Sequence, residues 1–186
     1  MLSRRRLAVL VVGLASASTG AAQSRVDSME VAVLRIALRN RGADKNAVVG
    51  ATTDTSVVCG LISRNRERGA CLPDSLRADF APAIHDFVRR NASGERIPDS
   101  ALRLLGFAVY DSDHARPNGT CEGPIYYFFT RVGFDADFRH AVVTLETSRG
   151  RGPYPGCGWA SGRTMLLRRS PNNEWVFVAA VGGWIT

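Results

Sequence analysis

Hydrophobic positions recur at two different periods along this chain, and the change of period divides it. Residues 25–40, SRVDSMEVAVLRIALR, place Val26, Met29, Val33 and Ile36–Ala37 at the spacing of one helix face, and Asn40-Arg41-Gly42 supplies a stop. NAVVGATTDTSVVC follows, rich in β-formers and interrupted by Gly50, and reads as one or two short strands. Residues 60–75, GLISRNRERGACLPDS, form a polar loop bounded by glycine and flanked by Cys59 and Cys71. A second helix is predicted within residues 75–91, with Leu76, Phe80, Ile84, Phe87 and Val88 on one face. Pro82 is an alternative start for it, because proline suits a first turn and disrupts an interior. Residues 91–100 read as a linker, and ALRLLGFAVYD (101–111) as a short helix running into a strand.

From residue 124 onward the period becomes two. PIYYFFTRV, HAVVTLETS, RTMLLRRS and EWVFVAAVGGW are four β-runs separated by GFDADF, RGRGPYPGCGWASG and PNN. Short turns between consecutive strands make an antiparallel meander the economical topology. In the first run Ile125, Tyr127 and Phe129 oppose Tyr126, Phe128 and Val132, so both faces are apolar. A strand of this kind is covered on both sides, and most of its rings are therefore expected in the core rather than on a ligand platform. The fold class predicted is α+β: helices mainly within 25–91, packed on a four-stranded antiparallel meander over 124–183, with a helix covering one face of the sheet.

The ends and the composition set the compartment. Residues 1–23 combine Arg4-Arg5-Arg6, a short apolar run from Leu7 to Leu14, and small residues ending in Gly20-Ala21-Ala22. That is the pattern of a secretory signal peptide, and the apolar run is too short to span a bilayer. Cleavage after Gln23 would leave 163 residues, 24–186, enough for one domain with a real core. Three arginines and no acid leave with the leader, so the formal charge of +7 becomes +4. No later stretch approaches the length of apolar run that a membrane helix needs, so a secreted or periplasmic chain with no transmembrane segment is expected. The arginines are scattered through the sequence rather than gathered with stacking aromatics, which argues against nucleic acid as a partner.

Four cysteines, Cys59, Cys71, Cys121 and Cys157, in a chain bound for an oxidising compartment favour two disulfides over a metal site, and no CxxC pair is present. Of the three connectivities, Cys59–Cys71 and Cys121–Cys157 are expected. The first closes a short loop. In the second, Cys121 precedes the first strand of a hairpin and Cys157 follows the second, which brings them within bridging reach.

The carboxy-terminal half resembles a group of uncharacterised secreted bacterial proteins. Their pattern runs Ser-Arg-x-Gly-Phe, a short acidic turn, an Ala-Leu-Val strand, a Gly/Cys-rich loop, a strand of leucines, a Gly-x-Trp turn and a terminal Trp-Ile-Ser. Here the counterparts read TRVGFDADFRHAVVTL, GCGWASGRTMLLRR, NNEWVFV and WIT, over about residues 124–186, with a weaker likeness at HDFVRRNAS. Thr130 replaces the serine, and the loop carries one cysteine where such relatives often carry two, which agrees with Cys157 pairing elsewhere. The resemblance implies compartment and fold, and it implies no activity.

Candidate chemistry is sparse. The densest polar segment is YDSDHARPNG, where Asp111, Asp113 and His114 could bind a metal or act as a carboxylate–imidazole pair. The same residue types are ordinary loop formers, and the calcium-loop pattern fails for want of its glycine and closing glutamate. His85 reads as a surface or boundary residue and His140 as a cross-strand neighbour. The serine-nucleophile, phosphate-loop and dinucleotide motifs are missing. ASGRT at 160–164 lacks the Gly-Lys-Ser/Thr of a phosphate loop. Tyr154 and Trp159 lie in the long glycine-rich segment, where rings are not obliged to be core and loops carry function. The sequons at Asn91 and Asn118 matter only in a host that glycosylates. On these residues the expected function is an exported, non-catalytic binding or accessory domain with no cofactor, contacting an envelope component or a protein through the Tyr154–Trp159 loop. The alternatives are a small periplasmic hydrolase built on the Asp/His segment and a structural domain with no ligand.

Overall fold

The computed structural model describes residues 27–43, 45–52, 73–110, 124–149 and 159–185, with the backbone alone at 159, 160 and 182–185. All four cysteines, Asp111, Asp113, His114 and Tyr154 lie outside the described residues, as do residues 1–23 and the segments expected to carry the disulfides.

The fold is α+β. Helix α1 covers residues 27–40 and ends at Gly42, whose φ of 67° is the left-handed conformation that glycine adopts freely. Strand β1 (Val48–Ala51) follows, then α2 (Asp74–Ala92), α3 (Asp99–Arg103) and β2 (Ala108–Val109). The remainder is β3 (Ile125–Phe129), β4 (Gly133–Phe134), β5 (His140–Arg149), β6 (Trp159–Arg169) and β7 (Trp175–Ile185). The second helix thus begins at Asp74, with Pro82 in its interior. Pro82 and Ala78, whose carbonyl loses its bond, are both exposed, so water can take the freed acceptor. Asp74 in the first turn and Arg89 and Arg90 in the last suit the helix dipole.

The strands form one seven-stranded mixed sheet in the order β2-β1-β3-β5-β6-β7, with β4 also paired to β5. This corrects the four-stranded meander. The antiparallel run β3-β5-β6-β7 is present, but β1 and β2 extend it through parallel pairing, with Val48–Ala51 aligned to Tyr126–Phe129. Parallel pairing joins strands that are remote in sequence, so no short-turn signal announces it.

Helices also cover both faces, where one was expected. On one face Val31, Val33, Leu34, Ala37 and Leu38 of α1, with Ala101 and Leu102 of α3, pack on Val49, Tyr127, Phe129, Ala141, Val143, Leu145, Met165 and Leu167. On the other, Phe80, Ala83, Ile84 and Phe87 of α2 pack on Val142, Leu166 and Val181. Alternate residues of β5 therefore serve two different layers, which explains why residues 141–148 are all buried. Tyr127, Phe128 and Phe129 are buried as expected, and Tyr126 is half-buried against Tyr110 and Phe128. None of the described helices is long and apolar enough to cross a membrane.

Candidate functional site

Strand β3 does not run smoothly into β4. Phe129 stands opposite Leu145 and Gly133 opposite Val142, so the chain carries one residue more than its partner between these points. The result is a bulge at Thr130–Val132. Thr130 absorbs the mismatch: its backbone N–H donates to Thr144 O, and its Oγ1 accepts from the Thr144 N–H at 3.0 Å. A hydroxyl thus stands in for a backbone carbonyl. Pairing with β1 ends at Phe129, so the outward backbone groups of Arg131 and Val132 need other partners.

Side chains from both helix layers supply them. Asn91 at the end of α2 accepts from Arg131 N–H through Oδ1 and donates to Arg131 O through Nδ2, both at 2.9 Å. It reproduces the paired bonds of a neighbouring strand and ties them to α2 by donating to Phe87 O as well. Glu30 of α1 accepts from Val132 N–H through Oε1 at 2.7 Å, and the Arg90 guanidinium donates to Val132 O. One turn earlier in α2, Asp86 accepts from Phe134 N–H at 3.0 Å and pairs with Arg89 at 2.6 Å. Gly133 lets α2 come this close, because a Cβ there would stand 2.3–2.4 Å from the N, Cα and Cβ of Phe87.

The bulge also gathers charge. Glu30 lies 3.2 Å from Arg131 and 3.8 Å from Arg90, and all three are buried. Burial pushes the Glu30 carboxyl above its usual range, and the pull of Arg131, Arg90 and the Val132 N–H does not overcome it. Burial likewise lowers Arg90, against the attraction of Glu30. A buried ion cluster of this kind is weak evidence for stability, because the cost of taking its charges out of water offsets their attraction. Beside it opens a polar cleft of about 420 Å³, lined in part by Asp86, Arg90, Glu95, Arg131 and Asp135.

The β4–β5 turn closes on Asp135. Its Oδ1 accepts from Arg139 N–H at 2.6 Å and His140 N–H at 3.0 Å, while Oδ2 meets His140 Nδ1 at 2.8 Å. The pair has the composition of an acid–base dyad, but its carboxylate is engaged by the turn, and the His140 ring packs edge-on to Phe80 at 4.7 Å. Phe138 in this turn has a φ of 55°, which costs a non-glycine residue about 1–2 kcal/mol, and it is held against Phe134. The β6–β7 turn next to it follows the same plan, with Asn173 at φ 64° and its N–H donating to Ser170 O.

Between the two turns lies a second cleft, of about 460 Å³, lined by Asp137, Arg139, His140, Arg168, Arg169, Ser170, Pro171 and Asn173. His140 and Arg168 are register partners across β5 and β6. Arg169 is anchored by Nε donating to Asn173 O at 3.2 Å. Among the described residues no carboxylate pairs with Arg139, Arg168 or Arg169.

The expected site residues fare unevenly. Asp111, Asp113, His114 and Tyr154 lie outside the described residues. Trp159 is placed not on the loop but as the first residue of β6, opposite Arg149. His85 is exposed on α2, and His140 is a cross-strand neighbour as read from the sequence. Among the described residues no three His, Cys, Asp or Glu side chains converge as a metal-ligand set. The sequence reading missed Glu30, Asn91 and Arg131. Its available signal was a polar residue at an apolar step: Glu30 lies between Val26 and Val33 on the α1 stripe, and Asn91 four residues after Phe87 on the α2 stripe. No family model, no curated protein and no solved structure matches this chain.

Proposed function

We propose that this protein is an exported, non-catalytic binding or accessory domain that presents the turn-bearing end of its sheet to an envelope component or a protein. One observation carries the reading. Three carboxylates around the bulge and its turn, Glu30, Asp86 and Asp135, each accept from backbone N–H groups and so serve to hold the chain in place. The arginines of the neighbouring cleft are left with donors to offer. A set whose central acids are engaged by the backbone and whose cations are open suits recognition better than proton transfer. The leader-like residues 1–23 and the four cysteines support an oxidising compartment as the setting of that partner.

The test is co-sedimentation of the purified, processed protein with an isolated envelope fraction, run beside a panel of ester, phosphoester, glycoside and peptide substrates. Saturable binding with no turnover is expected. Turnover that disappears in His140→Ala would overturn the non-catalytic reading, and failure to sediment at any protein concentration would remove the envelope as partner.

A further inference from the structure

We propose that the cleft between the β4–β5 and β6–β7 turns is an anion site that takes a phosphomonoester group. The proposal deepens the binding reading by naming the ligand's chemistry, and it rests on that reading for its biological setting only. Three guanidinium groups, Arg139, Arg168 and Arg169, line one cleft whose only lining acid among the described residues is Asp137. A local excess of two positive charges matches a phosphomonoester, which carries about 1.5 to 2 negative charges near neutral pH. Guanidinium is also the group that meets phosphate oxygens in pairs.

The donors sit on a fixed frame. Arg139 and Arg169 are joined by the Arg169 N–H donating to Arg139 O at 2.7 Å, so the two turns cannot separate without losing a backbone bond. Arg169 is held at Nε by Asn173 O, and its two terminal nitrogens are left for a ligand. Ser170 Oγ accepts from Glu174 N–H at 3.2 Å, which leaves its own hydroxyl hydrogen to donate outward. The Asp135 bond at Nδ1 leaves the far nitrogen, Nε2, of the half-buried His140 ring for a ligand. The open cleft of about 460 Å³ has room for more than one phosphate, so it admits a phosphoryl group carried on a small metabolite or a lipid headgroup.

The experiment uses the full processed protein and three probes: inorganic phosphate, glycerol phosphate, and phosphatidylcholine vesicles with and without phosphatidic acid. Titration calorimetry reads the soluble probes and flotation reads the vesicles. Saturable binding of glycerol phosphate, weakened by salt, is expected. Arg168→Gln with Arg169→Gln should weaken it about tenfold or more, as loss of charge-assisted bonds implies, and Arg168→Lys should weaken it less. Arg39→Gln, on α1, should leave it unchanged. Arg139→Gln, an exposed turn substitution, repeats the test if the double variant melts early. Binding to phosphatidic acid vesicles alone would assign the source to lipid. No binding to any probe, or binding untouched by Arg139→Gln and the double variant, overturns the site while leaving the envelope result standing. Release of inorganic phosphate from glycerol phosphate would instead overturn the non-catalytic reading and leave the site.

Discussion

Asn91→Leu is the substitution that most cleanly tests how the bulge is held. Leucine has the same branched, four-heavy-atom side chain as asparagine with no polar atom, so the main change is loss of two bonds to Arg131, both at 2.9 Å. Asn91 and Arg131 are 4 % and 5 % exposed, which leaves water little access to the orphaned N–H and C=O. Each such group costs about 1–3 kcal/mol when unpaired, or about 2–6 kcal/mol together. The buried leucine offsets part of this, and the net loss expected is about 2–4 kcal/mol. For a chain of this size that corresponds to a Tm lower by about 4–16 °C. The assay is urea unfolding followed by fluorescence, with Trp175 buried in the core as a reporter. The midpoint should fall while the slope with denaturant is unchanged. A loss under about 1 kcal/mol would refute the reasoning, because the Arg131 backbone would then have partners other than Asn91.

Further outcomes follow from the same contacts. Glu30→Gln keeps an acceptor for Val132 N–H and removes the titration. In the wild type the folded carboxyl lies above its ordinary value of 4.5, so its stabilising contribution is full below that value and is lost as pH rises through the folded one. A profile of stability against pH should show that decline in the wild type and lack it in the variant; identical profiles would sink the assignment. Gly133→Ala drives a methyl into the backbone of Phe87 and should cost about 3 kcal/mol or more, read by thermal melting, with a cost under about 1 kcal/mol excluding the close helix approach. Phe80→Ala should cost about 3–5 kcal/mol by removing a fully buried ring that also seats His140, and a shift within 1 kcal/mol would contradict the packing. Arg89→Ala breaks an exposed pair with Asp86 and should change stability by less than about 1 kcal/mol in the same melts.

The parts of the fold that follow a local period were legible in the sequence. The stripe Phe80–Ile84–Phe87 announced α2, and the alternation in residues 125–129 and 140–148 announced strands buried on both faces. Parallel addition of β1 was not legible, since Val48–Ala51 meets Tyr126–Phe129 across a span of sequence with no turn to mark the pairing. Assigning one covering helix was an error of the same kind: β5 alternates between two apolar sets, but nothing local says that α1 faces one set and α2 the other.

The site was less legible for a related reason. Glu30, Asn91 and Arg131 belong to three elements, and each reads alone as an ordinary polar residue. Two segments far apart in the sequence, TRVGF and HDFVRRNAS, nevertheless meet here: Thr130 to Phe134 supply the bulge and Asp86, Arg90 and Asn91 three of its side-chain partners. A serine hydroxyl at position 130 could accept the same bond, so Thr130→Ser is expected to be a mild substitution. The arginine cleft was present only as the fragments FRH and LLRRS, brought together by the pairing of His140 with Arg168.

Native-state hydrogen exchange at the amides of Arg131 and Val132 bears most directly on whether side chains from opposite layers complete this irregular strand. Neither amide has a strand partner, yet Asn91 Oδ1 and Glu30 Oε1 should hold both as firmly as the ladder amides of β5, opening only when the whole molecule unfolds. Exchange at the speed of an open turn, while β5 stays protected, would mean that α1 and α2 do not grip the bulge at all.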